Sequence, residues 1–249
     1  MSSIGSRFLY YRIPQLTEEE RNEGFTVTWG GGEERKKHQA DLRRLALEHI
    51  ADVRALPHIW TPETQEQQHF LQCLAKFVAH GRGAITWQRS PFGDYEVASV
   101  QVEEPFRALQ QLRNLARALA RVHGRTALTD HELELVRRVA LSTLPSDRKA
   151  VLDLFQRHLE GVTASMCAKG LEKSDDRARS LLNELVRVGL VITEEEAAPQ
   201  GRPLTRYSLA PQFADIVIRE DKPVDHLLDL SLDGLFRQNS PQEVEPIIY

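Results

Sequence analysis

The chain has 249 residues and a net charge of −4, and hydrophobic residues make up 41% of it. This is an ordinary globular composition, and no run approaches the roughly 18 apolar residues that a membrane span needs. Two distant cysteines, Cys73 and Cys167, favour a reduced, cytoplasmic protein over a disulfide scaffold. Because the chain is not basic overall, any contact with nucleic acid must be local.

The first 145 residues divide into two predicted parts. Residues 1–33 hold a β-prone run and a glycine break, so we expect a short strand and loop there. Residues 34–145 carry apolar side chains at helical spacing, interrupted over 84–102 by a predicted strand or loop pair. Pro62 marks the expected start of the second helix, and Thr129 with Glu132 has the spacing of a capping box.

From Ser146 the pattern changes to three short helices followed by two short strands, and hydroxyl caps at Thr163 and Ser174 are predicted to start the second and third of these helices. A short helix, a tight turn and a longer helix form a helix-turn-helix, and a hairpin behind it is a wing. The sequence therefore predicts a mainly α fold, with a winged helix-turn-helix domain at 146–210. Residues 211–249 form an acidic and apolar tail.

Residues 146–210 resemble the winged helices of MarR-like and ArsR-like regulators, most clearly over Leu181–Val191. In those proteins the third helix enters the major groove and basic wing residues contact phosphate. Asp175 and Asp176, at the end that would approach DNA, favour the alternative of a winged helix used only for protein contacts. The resemblance implies double-stranded DNA as a partner, contacted through Arg177, Arg179, Ser180, Asn183, Arg187, Arg202 and Arg206.

Three earlier segments resemble the back half of AAA+ ATPases of the minichromosome-maintenance type. Residues 6–8 (Ser-Arg-Phe) are similar to their arginine-finger segment, and residues 105–120 are similar to their sensor-2 helix. Residues 128–133 match the short capped helix that ends the lid. The resemblance implies that residues 34–145 form a helical lid. It also implies that Arg7 reaches a neighbouring subunit's γ-phosphate, while Arg107 contacts the nucleotide of its own subunit.

The chain departs from such an ATPase in one decisive respect. It contains no GxxxxGK[ST] segment, and Gly30–Gly32 is followed by two acids that would repel phosphate. We therefore expect no ATPase activity from this chain alone, and ATP as a ligand only beside a Walker-motif subunit or segment. His69 and Cys73 have metal-ligand spacing, but too few ligands converge to predict a metal.

Two functions remain open at this stage. The first is a non-catalytic DNA-binding and subunit-contact portion of an AAA+ ATPase, made separately, truncated or split, within a homo-oligomer or beside an ATPase subunit. The second is a self-standing winged-helix transcription regulator, whose N-terminal helices dimerise or bind a ligand. A Walker-type ATPase encoded immediately upstream would favour the first.

Overall fold

A computed structural model describes residues 32–57, 59–89, 95–196 and 204–218, together with Leu9, residues 17–19 and residues 21–22. As the sequence predicts, this part of the chain is mainly helical. The strands form two antiparallel pairs, β1 with β2 and β3 with β4. The first half contains α1 (Gly32–Ala55), α2 (Gln65–Gly81), β1 (Ala84–Arg89), β2 (Tyr95–Gln101), α3 (Phe106–Val122) and α4 (Asp130–Ser142). The second half contains α5 (Ser146–Arg157), α6 (Ala164–Leu171), α7 (Asp175–Arg187), β3 (Val191–Glu196), β4 (Leu204–Leu209) and α8 (Pro211–Ile218).

Local capping accounts for the starts of α2 and α4. The Thr64 hydroxyl accepts the amide of Gln67, whose side chain accepts the Thr64 amide, so α2 begins at Gln65. The expected start at Pro62 was wrong by three residues, because the capping box begins at Thr64 and the helix therefore starts at Gln65. At α4, the Glu132 carboxylate accepts the Thr129 amide at 2.9 Å, which confirms the predicted capping interaction.

One hydrophobic core connects both halves of the described chain. It begins between α2, α3 and α4 and continues among α5, α6, α7 and α8 without a break at residue 145. The domain boundaries at 33/34, 145/146 and 210/211 stay predictions. Fully or almost fully buried members include Leu74, Phe77, Leu112, Val136, Leu152, Leu182, Leu185 and Phe213.

Helix α1 is the least buried helix described. Helical spacing predicts one stripe of Leu42, Leu45, His49 and Val53, and of these only the last three are half-buried. Leu42 and Leu47 are 50% and 59% exposed, so much of the helix's apolar surface faces outward. Neither α1 nor any other helix in the described ranges is long and apolar enough to cross a membrane.

A buried arginine fastens α8 to α4. Arg137 has no exposed surface, and its guanidinium donates to both carboxylate oxygens of Glu134, at 2.8 and 2.9 Å. A third donor bonds the Ile216 carbonyl at 2.9 Å. A buried charge is tolerated only when it is paired and hydrogen-bonded, so this geometry fixes how α8 closes the core.

Replacing Arg137 by Met should therefore lower the free energy of unfolding by about 3 kcal/mol, because the Glu134 carboxylate loses its bidentate partner, keeping a 3.3 Å contact with Arg138, and the Ile216 carbonyl loses its donor. Urea unfolding followed by circular dichroism measures this loss. The double variant Arg137→Met/Glu134→Leu leaves neither charge buried and should recover much of the stability. A loss below about 1 kcal/mol for the single variant would contradict the role of Arg137 in attaching α8 to α4.

Candidate nucleic-acid interface

Helices α6 and α7 are each started by a hydroxyl cap, as the sequence predicts. Thr163 accepts the Met166 amide at 3.3 Å, and Ser174 accepts the Arg177 amide at 3.4 Å. Between the two helices, Glu172 adopts a left-handed conformation with φ of 52°. The chain can therefore turn sharply within three residues, and α6 packs directly against α7.

The β3–β4 hairpin follows α7, and the chain before α6 is attached to it. Val191 pairs with Leu209 at one end of the hairpin, and Glu196 pairs with Leu204 at the other. Val162 exchanges both main-chain hydrogen bonds with Tyr207, at 2.8 and 2.9 Å. This isolated one-residue bridge connects the chain before α6 to β4 of the two-stranded sheet.

Helix α7 buries one side and exposes the other. Ala178, Leu181, Leu182 and Leu185 form the buried side. Residues three and four apart share a helix face, so the predicted polar residues occupy the outer side. Of these, Arg177, Arg179, Asn183 and Arg187 are exposed and Ser180 is half-buried.

The outer side of α7 connects to the hairpin through a tyrosine. The Tyr207 hydroxyl donates to Asn183 Oδ1 at 3.2 Å. Burial raises the pKa of Tyr207, so its hydroxyl stays protonated and able to donate. A groove of about 490 Å³ lies here between the start of α6, helix α7 and β4. It is lined by Thr163, Ala164, Ser165, Asp175, Arg179, Leu204, Thr205 and Tyr207.

Most of the cations on this face already have acidic neighbours. Arg177 donates to Asp147 on α5 at 3.1 Å, and Arg179 lies 3.6 Å from Asp176. Arg206 on β4 is half-buried and lies opposite Glu194 in the hairpin register. Exposed ion pairs contribute only about 0–1 kcal/mol, so a phosphate could displace these carboxylates at little cost.

Not every predicted site residue lies on this face. Arg107 is exposed at the second position of α3, a helix that packs against α2 and α4. Arg7 and Arg202 lie outside the described residues. His69 Nε2 and Cys73 Sγ are 3.5 Å apart, and among the described side chains no group of three metal-ligand residues converges.

Comparison with known protein families, with curated proteins and with solved structures gives no match. A function must therefore be argued from this geometry. Two residues that contact the exposed arginines of α7 were missed by sequence reasoning. Asp147 pairs with Arg177 from 30 positions away, and the Trp87 ring lies under the Arg187 guanidinium. Neither pairing has a local sequence signal, because each joins separate elements.

Two glycines offer a matched test of how the hairpin is attached. Gly161 has φ of 101°, and a Cβ added there would lie 2.7 Å from the Tyr207 carbonyl oxygen. Gly124 also has positive φ, at 71°, but a Cβ there would meet nothing within 4 Å. Gly124→Ala should therefore cost only the backbone strain, about 1 kcal/mol.

Gly161→Ala should cost at least about 1 kcal/mol more than Gly124→Ala, because the strained backbone must also separate from Tyr207. Urea denaturation of both variants measures the difference. Amide hydrogen exchange should show faster exchange at Val162 in Gly161→Ala alone. Equal stabilities would mean that the close contact with β4 is easily relaxed.

Proposed function

We propose that residues 146–210 form a winged helix-turn-helix that binds double-stranded DNA, with α7 as the recognition helix and β3–β4 as the wing. The order of elements supports this: helix α5, an isolated bridge residue at Val162, helices α6 and α7, then a hairpin. The single observation that carries the proposal is the polar outer side of α7, which continues through the groove onto β4.

The chemistry of this face suits a phosphate backbone with a helix in the major groove. Helix α7 has 13 residues and is therefore about 20 Å long, which matches the usual size of a recognition helix. The groove at its hairpin side offers the Arg179 guanidinium together with the hydroxyls of Thr163 and Thr205. Such donors contact phosphate, while Ser180 and Asn183, nearer the middle of the outer side, would face base edges.

Acidic residues limit the expected affinity. Glu194 and Glu195 are exposed on β3, and Asp175 lines the groove beside Arg179. These charges repel phosphate, so we expect weak binding that needs low salt. The competing possibility, a winged helix used for protein contacts, predicts no DNA binding at any salt concentration.

The double variant Arg179→Ala/Arg206→Ala tests the DNA interface. Each phosphate contact adds about 0.9 to the slope of log affinity against log salt concentration. If both arginines contact phosphate, the slope should flatten by about two units. Fluorescence anisotropy with a labelled blunt duplex measures it between low and moderate salt.

The matched control is Arg43→Ala/Arg44→Ala, which removes the same charge from the exposed side of α1. It should leave the slope unchanged. A slope that falls equally in both double variants would show a nonspecific effect of charge. The absence of binding at low salt would reject the DNA interface and favour a protein-contact role.

We propose as a second candidate that α1–α4 act as a lid beside a nucleotide-binding partner or segment. The supporting observation is the start of α3, where Arg107 is exposed and Phe106 is 72% exposed. Phe106 borders a groove of about 400 Å³ between α2 and α3. The outward apolar residues of α1, such as Leu47, offer surface for such a partner.

The test looks for a Walker-motif ATPase encoded immediately upstream and, where one is found, mixes it with this protein. The chain alone should show no ATP turnover, and stimulation of the partner should fall in Arg7→Ala and Arg107→Ala. Arginine fingers contribute on the order of 10³ to 10⁵ in turnover, and Arg7→Lys should rescue little because lysine lacks the planar fork. Equal stimulation by all variants, with Arg157→Ala on the exposed end of α5 as the control, would leave the self-standing transcription regulator as the better account.

A further inference from the structure

The β1–β2 hairpin is a two-sided ribbon. Residues directly opposite each other in an antiparallel pair share one face. Thr86 lies opposite Ser99, and Gln88 lies opposite Glu96, so one face is polar. The other face carries the pairs Ile85 with Val100 and Trp87 with Val97.

The apolar face of this ribbon is only partly covered. Trp87 is 42% exposed and Val100 is 37% exposed, whereas Ile85 and Val97 are half-buried. An indole that keeps this much surface in water, on a strand of a folded protein, offers a flat area for a partner.

A cation from the recognition helix lies against the same indole. The Arg187 guanidinium, in the last turn of α7, is 5.9 Å from the Trp87 ring centroid. Arg89 is two positions along β1 from Trp87 and therefore shares its face. Glu96, by contrast, belongs to the polar face of the ribbon.

We propose that this face, formed by Trp87 and Arg187 with the neighbouring Val97, binds an unpaired nucleic-acid strand, with one base stacked on Trp87. The inference rests on the proposed DNA-binding function of α7 and adds a substrate class to it: a junction between duplex and single strand. A π-surface beside a guanidinium is the combination that single-strand binding uses, since the ring takes a base and the cation takes a phosphate.

Charge favours a nucleic-acid strand over a protein as the occupant. Arg89 on β1 and Arg187 from α7 lie at the apolar face. Among the described residues of the hairpin the one acid is Glu96, and it lies on the opposite, polar face. Arg187 of α7 lies against this face, so a strand that leaves a duplex bound at α7 would pass close to Trp87. Arg177 and Arg187 are ten residues apart on α7, so about 15 Å of helix axis separates them. This is the length of about four base pairs of a duplex.

Binding should be measured with three labelled DNAs: a blunt duplex, a single strand, and a fork that joins the same duplex to unpaired tails. The unchanged protein should bind the fork more tightly than the blunt duplex. Trp87→Ala should lower affinity for the fork and the single strand by roughly 5- to 150-fold, the range for loss of one stacked base. Its affinity for the blunt duplex should stay unchanged, and Trp87→Phe should keep part of the stacking.

The control is Ile59→Ala, which removes a large apolar side chain that is 78% exposed just before α2 and should alter none of the three affinities. Thermal unfolding checks that Trp87→Ala is folded, and Trp87→Phe preserves the test if it is not. No advantage of the fork over the duplex, or equal losses on all three DNAs, would overturn the inference. If the fork shows no advantage but the blunt duplex still binds, only the single-strand inference fails and the proposed function of α7 stands. If the protein binds the single strand but not the blunt duplex, only the duplex interface is rejected.

Discussion

The relation between the two halves of the described chain depends on one buried guanidinium. Arg148, on α5, donates to the carbonyls of Gly81 and Gly83 at 2.9 and 2.7 Å, where α2 ends and leaves main-chain acceptors without helical partners. Burial lowers the pKa of Arg148, and Glu184 on α7, 3.7 Å away, opposes this by favouring the charged form. Because an arginine stays protonated in proteins, the junction of α2, α5 and α7 contains a permanent charge that its neighbours must satisfy.

That junction determines where the β1–β2 hairpin begins. Gly83 immediately precedes β1, so holding its carbonyl also holds the base of the hairpin beside α7. His80 reinforces this, since its Nδ1 lies 2.5 Å from the Val188 carbonyl oxygen just beyond α7. Packed structure therefore holds the β1–β2 face that carries Trp87 next to the outer side of α7, so a ligand that contacted both surfaces would lose little free energy to ordering them.

The sequence predicts features whose cause is local and misses those that join distant segments. The hydroxyl caps at Thr163 and Ser174 and the polar side of α7 follow from spacing alone, and each is found in the structure. The start of α2 was misplaced by three residues because two local signals, proline and threonine, competed there. The Arg177–Asp147 pair and the Arg187–Trp87 contact have no periodic pattern to reveal them, since tertiary packing alone brings those residues together.

Because the charges on α7 balance, any affinity of this helix for DNA would depend more on where its side chains lie than on its net charge. Its three arginines are matched by three acids, so the helix lacks the excess positive charge that gives basic proteins their nonspecific affinity for DNA. Phosphate contacts weaken as salt rises, whereas stacking of a base on an indole depends mainly on surface contact and is screened far less. On a nearly neutral face, a stacked base would therefore contribute a growing share of the binding free energy at higher salt, and the preference for a fork over a duplex should increase with it.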